Sequence, residues 1–282
     1  MTHFNFSENI VKVNGIDLHF IEYKNAEPPL LLMHGLTANA HAFDGLVKAG
    51  LAENFSLISV DFRGRGLSSK QALRYGIEDH AQDIMGLLDL LKIDAIMLCG
   101  HSFGGLMATY LAFHFPERFT KVIILDAAPK MNPKAAEMLG SALSRLDKTC
   151  IHFENYLSTI RSAPYCTFWD DAMLSYYQAD VKVNSDNSVQ PRSNLKDIVE
   201  VAIAISKEPW ARYFENISQN VLLVNATDAY TMGMPLLPEA LAIETHATMK
   251  NATYVSMKGN HQTMLYGEHA LVLVEMIKRF AL

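Results

Sequence analysis

The hydrophobic residues of this chain follow two different patterns. Near the N-terminus, residues 11–13 and 16–21 alternate between apolar and polar side chains, and Asn14-Gly15 separates the two runs. An Asn-Gly pair between alternating segments predicts a β-hairpin, which we place at the edge of a sheet. Later runs are apolar throughout, as expected of strands buried on both faces. These runs are 29–33, 56–60, 95–99, 122–125 and 221–224.

Helical periodicity occupies the stretches between the apolar runs. Apolar residues recur at helical spacing in 77–91, 102–115 and 270–280. The alternation of buried strands with helices predicts an α/β fold with a mostly parallel central sheet flanked by helices. Residues 130–213 interrupt this alternation, show no clear buried strand and are rich in Met, Tyr, Phe and Trp. We therefore predict a core formed by 1–129 and 214–282, and a mainly helical insertion at 130–213.

The composition narrows the classes of function. The 282 residues are 50% hydrophobic and carry a formal net charge of −6, without the clustered basic face that nucleic-acid binding requires. The N-terminus lacks the features of a signal peptide, and no apolar run is long enough to span a membrane. The three cysteines imply no disulfide framework. We expect a cytoplasmic monomer or homodimer that acts on a small molecule.

Residues 98–105, Leu-Cys-Gly-His-Ser-Phe-Gly-Gly, carry the motif with the clearest chemistry. Gly100-x-Ser102-x-Gly104 follows an apolar run and precedes a helical segment, which is the context of a nucleophile elbow. Such a turn is sharp and strained, so side chains at positions 100 and 104 would collide with the neighbouring strand and helix. The helix N-terminus also favours developing negative charge. We predict that Ser102 is a nucleophile.

Three further segments, together with the one at 98–105, resemble the α/β-hydrolase family. They are 33–37 (Met-His-Gly-Leu-Thr), 61–68 (Asp-Phe-Arg-Gly-Arg-Gly-Leu-Ser) and 259–261 (Gly-Asn-His). The resemblance covers nearly the whole chain outside the insertion and identifies the chain as a member of the serine-nucleophile branch with a helical cap. It implies that His261 is the general base and that the insertion lies over the nucleophile.

The same resemblance implies roles for residues of the loops. The backbone N–H groups of Leu36 and Phe103 would form the oxyanion hole, where two donors stabilise the transition state. We interpret His34 as a residue that fixes its loop by hydrogen bonds, and Asp61 and Arg63 as structural residues of the loop that contains them.

The acidic member of the triad is left open between two aspartates. The family places it after the strand at 221–225 or, in some branches, after the strand at 122–125. Asp228 follows the first strand and Asp126 follows the second. The sequence Asp126-Ala-Ala-Pro129 resembles the Asp-x-x-Pro of the second group and favours Asp126. Either carboxylate would orient His261 and stabilise its imidazolium form.

The insertion supplies candidates for substrate binding. Arg145, Arg161 and Arg192 each carry a group suited to bidentate binding of a carboxylate, and two of them facing the pocket would indicate an anionic substrate. Most aromatic residues of the insertion are expected to form its own core, and Trp169 is a candidate for the pocket wall. No set of ligands with metal spacing and no phosphate or dinucleotide motif is present, so we expect no metal and no cofactor.

The predicted reaction is acyl transfer from a small carboxylic ester, thioester, lactone or amide to water. One alternative is carbon–carbon or vinylogous-amide hydrolysis of a small carboxylate substrate by the same triad, since fold alone does not fix function. A second alternative, from another class, is a ligand-binding receptor on a hydrolase scaffold.

Overall fold

A computed structural model, which describes residues 6–25, 28–70 and 74–282, shows a chain folded around a central β-sheet. The strands are β1 (Phe6–Val13), β2 (Ile16–Tyr23), β3 (Pro29–Met33), β4 (Ser56–Val60), β5 (Ile96–His101), β6 (Phe119–Leu125), β7 (Val181–Val183), β8 (Val189–Pro191), β9 (Asn220–Ala226) and β10 (Ala252–Met257). Eight of them form one sheet in the order β1-β2-β4-β3-β5-β6-β9-β10. Only the pairs β1/β2 and β2/β4 of that sheet are antiparallel, so the mostly parallel sheet is confirmed.

Helices cover both faces of the sheet. They are α1 (Asp44–Lys48), α2 (Leu51–Asn54), α3 (Ile77–Leu90), α4 (Phe103–His114), α5 (Ala135–Met138), α6 (Gly140–Leu143), α7 (Phe153–Arg161), α8 (Asp171–Asp180), α9 (Leu195–Lys207), α10 (Trp210–Asn216), α11 (Glu239–Thr248) and α12 (Gly267–Ala281). The segments predicted at 77–91, 102–115 and 270–280 correspond to α3, α4 and α12. Among the helices of the described residues, none has the length and apolar character of a membrane-spanning segment.

The predicted hairpin lies at one edge of the sheet. Strands β1 and β2 pair from Val13 opposite Ile16. Between them, Asn14 has a φ angle of 46° and Gly15 one of 78°. Two consecutive residues with positive φ are characteristic of the turn that Asn-Gly favours, because this turn matches the twist of the paired strands.

The inner strands are buried on both faces, as their continuous apolar sequences predict. In β3, Leu30 and Leu32 belong to an apolar cluster that also contains residues of α1, α8 and α12. Leu31 and Met33, which point the other way, belong to a second cluster with residues of α3, α4 and α10. The sheet therefore lies between two apolar layers, and the carboxyl ends of its parallel strands carry the loops described below.

The insertion at 130–213 contains α5 to α9, most of α10 and the antiparallel pair β7/β8. The two strands have three residues each, too few for a strand pattern to be visible in the sequence. The predicted end of the insertion at residue 213 falls inside α10, and Trp210 and Phe214 of that helix are buried in the same apolar cluster as Leu223 of β9. The sheet resumes at Asn220, as expected, and the division into core and cap stays a prediction.

Candidate active site

Ser102 lies on the sharp turn that joins β5 to α4. Its backbone has φ 56° and ψ −119°, a conformation that is strained for a residue with a side chain. Its N–H donates to the carbonyl oxygen of Leu125 at 2.9 Å, which ties the turn to the end of β6. The strained turn presents Ser102 to the largely apolar cavity described below.

The glycines of the elbow are required by close backbone contacts. A Cβ atom added to Gly100 would lie 2.0 Å from the carbonyl oxygen of Gly104, and one added to Gly104 would lie 1.9 Å from that of Met33. Backbone atoms cannot yield as a flexible side chain can. The collisions expected at both positions from the sequence are therefore confirmed.

His261 lies on the loop after β10, in contact with one of the two candidate acids. Its Nδ1 atom is 2.7 Å from Oδ2 of Asp126, and both side chains are buried. Because a carboxylate accepts, Nδ1–H donates to it and Nε2 is the nitrogen left for the cavity. Ser102 and His261 line the same cavity.

The second oxygen of Asp126 is held from β9. Oδ1 accepts from the backbone N–H of Ala226 at 2.9 Å and from Nδ2 of Asn225 at 3.0 Å. The Asn225 amide also donates to the carbonyl oxygen of Leu237 at 3.0 Å. These bonds hold the carboxylate in the orientation in which its Oδ2 atom accepts from His261.

Asp228, the other candidate acid, contacts the loop that precedes His261. Its Oδ2 accepts from the N–H of Gly259 at 2.8 Å, and its Oδ1 lies 3.6 Å from Nζ of Lys258. Its own N–H donates to the Gly259 carbonyl oxygen at 3.0 Å. The structure thus brings Asp126 to the imidazole and Asp228 to the backbone beside it.

The side chain of His101, which precedes Ser102, supports the same loop. Nε2 of His101 lies 2.7 Å from the carbonyl oxygen of His261, to which it donates. Burial lowers the pKa of His101 well below its usual 6.5, so the ring is neutral at pH 7. It therefore places no second positive charge beside His261.

The loop with the predicted oxyanion donor is fixed by His34. Backbone N–H of Phe62 donates to Nε2 of His34 at 3.1 Å, so Nδ1 carries the proton and donates to the carbonyl oxygen of Gly35 at 2.7 Å. Burial lowers the pKa of His34 to about 4, which keeps it neutral. Leu36 and Phe103 both line the cavity beside Ser102.

Asp61 and Arg63 have the structural contacts expected of them. Asp61 accepts from the N–H groups of Ala40 and Leu67, each at 2.7 Å. Arg63 donates from Nε to Oδ2 of Asp83 at 2.7 Å and from Nη2 to Oδ1 of the same carboxylate at 2.6 Å. Both side chains hold neighbouring segments together away from the cavity.

The cavity in front of Ser102 has a volume of about 190 Å³. The apolar side chains that line it include Leu106, Met131, Leu139, Leu143 and Leu236. The polar side chains that line it, besides Ser102 and His261, include Arg145, Tyr165, Tyr176, Tyr177, Tyr230, Tyr266 and Gln262. Nε2 of Gln262 donates to the hydroxyl of Tyr177 at 2.6 Å.

The predicted binding residues of the insertion separate into two groups. Arg145 lines the cavity and is buried, not a solvated surface residue. Arg161 and Trp169 are not among the lining residues: the guanidinium carbon of Arg161 lies 4.6 Å from the centre of the Trp169 ring, and that ring stacks on Tyr177. Arg192 lines a different cavity. Arg161 and Trp169 thus contact each other, and neither is among the residues that line the cavity, where the sequence made them candidates.

Several residues of the site carried no separate signal in the sequence. His101 and Gln262 are adjacent to Ser102 and His261, and only this adjacency could have indicated them. Asn225 could have been indicated only as a polar residue that directly follows the apolar run at 221–224. Tyr165, Tyr176 and Tyr177 lie within an aromatic segment that indicated no individual member, and Tyr230 and Tyr266 lie outside that segment. Within the described residues, no group of three or more His, Cys, Asp or Glu side chains is arranged to hold a metal ion.

Comparison with known proteins gives a match to a family model and several relatives. The model describes the alpha/beta hydrolase fold and matches residues 28–231. The chain is 33% identical over 139 residues to the 2-(acetamidomethylene)succinate hydrolase of Mesorhizobium japonicum, covering 49% of each protein. It is 32% identical over 146 residues to 3-oxoadipate enol-lactonase 2 of Acinetobacter baylyi, covering 51% of this chain and 54% of the relative. The chain thus spans about half the length of the curated relatives that it matches.

Two solved structures resemble the whole chain. The crystal structure of E-2-(acetamidomethylene)succinate hydrolase superposes with a TM-score of 0.86 at 22% identity, over 98% of this chain and 99% of the other. The enol-lactonase of Burkholderia xenovorans LB400 gives a TM-score of 0.73 at 19% identity, over 96% and 99%. At these identities the likeness extends to the fold alone.

Proposed function

Since the chain belongs to the α/β-hydrolase fold family, we propose that it is a serine hydrolase in which Ser102, His261 and Asp126 form the catalytic triad. The observation that carries the proposal is the contact of 2.7 Å between His261 and Asp126 in a cavity that Ser102 also lines. The order nucleophile, acid, base along the chain is that of the α/β-hydrolases.

In the first half of the reaction, His261 takes the proton of the Ser102 hydroxyl while the oxygen attacks the carbonyl carbon of the substrate. Asp126 keeps the proton of His261 on Nδ1, leaving Nε2 as the base, and stabilises the imidazolium ion that forms. Asn225 and the N–H of Ala226 hold Asp126 in this orientation.

The oxygen that becomes negative is bound by the backbone N–H groups of Leu36 and Phe103. Phe103 is the first residue of α4, where N–H groups have no partner within the helix and the helix dipole favours an anion. Two such donors contribute several kcal/mol in the transition state, by analogy with about 3–4 kcal/mol for one donor in other serine hydrolases. When the intermediate collapses, His261 gives its proton to the leaving alcohol, thiol or amine, and the acyl group stays on Ser102. Water, activated by His261, then attacks this acyl-enzyme, releases the acid and restores Ser102.

The insertion at 130–213 acts as the lid of this site. Residues of its helices α5 and α6, among them Ala135 and Leu143, line the cavity above the elbow. The lid excludes water from the acyl-enzyme, except for the one molecule that reacts, and sets the size of the substrate. A cavity of about 190 Å³ favours a small ester, thioester, lactone or amide.

Similarity to a named relative supports a second candidate function. The relative that is 33% identical over about half the chain is a 2-(acetamidomethylene)succinate hydrolase. The same triad is suited to cleavage of such a vinylogous amide, or of a carbon–carbon bond, in a small carboxylate substrate.

A panel of p-nitrophenyl esters of graded acyl length, together with E-2-(acetamidomethylene)succinate, tests both candidates. We expect the wild type to hydrolyse the shorter esters and Ser102→Ala to lose this activity. The matched control is Ser144→Ala, because Ser144 is not among the residues that line the cavity. Turnover of the succinate derivative without turnover of any ester would select the second candidate, and equal turnover by wild type and Ser102→Ala would contradict both.

A further inference from the structure

Arg145 is the residue of the cavity wall that carries a permanent charge. Among the described residues, the other ionisable groups that line the cavity are two histidines and five tyrosines. Burial raises the pKa of Tyr165, Tyr176, Tyr177, Tyr230 and Tyr266 above the usual 10, so their hydroxyls stay protonated. The charge that a substrate meets on this wall therefore depends on the state of Arg145.

The charge of Arg145 is already neutralised by a buried partner. Nε and Nη2 of Arg145 lie 3.2 and 3.4 Å from the two carboxylate oxygens of Asp180. Only 5% of the Arg145 side chain and 2% of the Asp180 side chain are exposed. A hydrogen bond from Tyr156 fixes the same carboxylate. The pair as a whole carries no net charge.

Two further N–H groups of Arg145 donate to backbone carbonyl oxygens. Nη1 donates to the carbonyl oxygen of Ala142 at 2.6 Å, and Nη2 donates to that of Thr37 at 2.9 Å. Thr37 follows Leu36, so the guanidinium joins the insertion to the loop of the predicted oxyanion hole. A substrate carboxylate would have to replace these bonds to form the two-fold contact that arginine makes best.

We propose that the site selects acyl groups without charge, and that Asp180 determines this selectivity by neutralising Arg145. The inference rests on the ester-hydrolase function proposed above. A carboxylate that enters the cavity loses its water and finds no uncompensated cation, which is unfavourable. A neutral amide or carbonyl group of similar size enters the cavity at a lower desolvation cost, because it carries no charge. Such a site disfavours the carboxylate substrates of the second candidate function.

Two esters that differ only in charge test the proposal. One is the mono-p-nitrophenyl ester of adipic acid, and the other has a primary amide in place of its free carboxylate. For the wild type at pH 7.5, we expect kcat/KM for the amide to exceed that for the carboxylate at least about tenfold, as for an unsatisfied buried group. Equal values, or a preference for the carboxylate, would overturn the proposal and leave the ester-hydrolase function standing.

Variants of Asp180 and Arg145 test whether this ion pair determines the selectivity. Asp180→Asn leaves Arg145 uncompensated, so we expect the carboxylate-to-amide ratio of kcat/KM to rise by roughly tenfold. In Asp180→Asn/Arg145→Gln, which lacks both charges, the ratio should return towards the wild-type value. An unchanged ratio in a folded Asp180→Asn protein would overturn the role of Asp180. If that variant does not fold, the ratio of kcat/KM values of the wild type still tests whether the site selects uncharged acyl groups. Absence of turnover of both esters by the wild type would overturn the proposed function and this inference with it.

Discussion

Nδ1 of His261 lies 2.7 Å from Oδ2 of Asp126, whereas the carboxylate of Asp228 accepts from the backbone N–H of Gly259, two residues before that histidine. Two aspartates therefore support the same loop in different ways. One contacts the ring that would move the proton, and the other contacts the backbone that carries the ring. This difference leads to distinct kinetic expectations for the two carboxylates.

Replacement of each aspartate by asparagine separates their roles. Asp126→Asn removes the acceptor that keeps the His261 proton on Nδ1, so we expect kcat for p-nitrophenyl esters to fall by about 10⁴-fold. Asp228→Asn keeps an oxygen that accepts from Gly259 and should lower kcat less than about tenfold. A larger loss in Asp228→Asn than in Asp126→Asn would show that the acid has been assigned to the wrong residue.

Asn225 is expected to act through Asp126. Asn225→Ala removes one of the two donors to Oδ1 of Asp126, so kcat should fall roughly 10- to 100-fold, the effect typical of outer-shell partners in metal sites. KM should change little, since Asn225 does not line the cavity. Tyr254→Phe is the control, because it removes only a hydroxyl 3.3 Å from the Asn225 amide oxygen. A wild-type kcat in Asn225→Ala would exclude this positioning role.

Two glycine substitutions test the packing of the elbow. Gly104→Ala places a methyl group 1.9 Å from the carbonyl oxygen of Met33, whereas a Cβ atom at Gly140 meets nothing within 4 Å. We expect Gly104→Ala to lower the free energy of unfolding by about 3 kcal/mol. Gly140→Ala should raise it by roughly 0.5–1 kcal/mol because alanine favours the helix. Urea denaturation measures both, and similar values for the two variants would contradict the close contact.

Because several histidines are buried and neutral, we expect the free energy of unfolding to fall in mild acid. Burial lowers the pKa of His34 from 6.5 to about 4, so the unfolded chain binds a proton there that the folded chain does not bind between these pH values. Its contribution is fully present above pH 6.5 and is lost as pH falls towards 4. His80 and His101 act in the same direction, since burial lowers the pKa of both.

The expected effect of His34 is about 3 kcal/mol between pH 7 and pH 4, from the size of its pKa shift. Urea denaturation of the wild type and of His34→Gln across this range measures it. The variant should be less stable than the wild type at pH 7, because the bond from Phe62 is altered, but its stability should depend less on pH. Parallel pH profiles for the two proteins would contradict a neutral buried His34.

The sequence predicted those parts of the fold that depend on local patterns. Continuous apolar runs gave the inner strands, and Asn14-Gly15 gave the hairpin, because each pattern reflects the burial or turn geometry of neighbouring residues. Gly100 and Gly104 identified the elbow for the same reason, since the glycines are required by contacts within the turn and with β3.

Features that depend on the meeting of distant segments were not predictable. Arg145 and Asp180 are separated by 35 positions, and nothing local distinguishes a buried, paired arginine from an exposed one. Arg161 and Trp169 were expected at the pocket because their residue types suit a binding site, yet they stack on each other outside it. The motif Asp126-Ala-Ala-Pro129 favoured Asp126 over Asp228, but the contact of Asp126 with His261 itself depends on how a strand end and a distant loop meet in space.

Ser102 is proposed to form a covalent bond with the substrate, and labelling with a fluorophosphonate probes the formation of such a bond. Such reagents react with an activated serine and mimic the transition state of acyl transfer. We expect intact-mass spectrometry to show one adduct per chain, mapped by peptide analysis to Ser102, and no adduct in Ser102→Ala. Labelling should be much slower in Asp126→Asn. An adduct on another residue, or ester turnover by the wild type without labelling of Ser102, would contradict the role of Ser102 as the nucleophile.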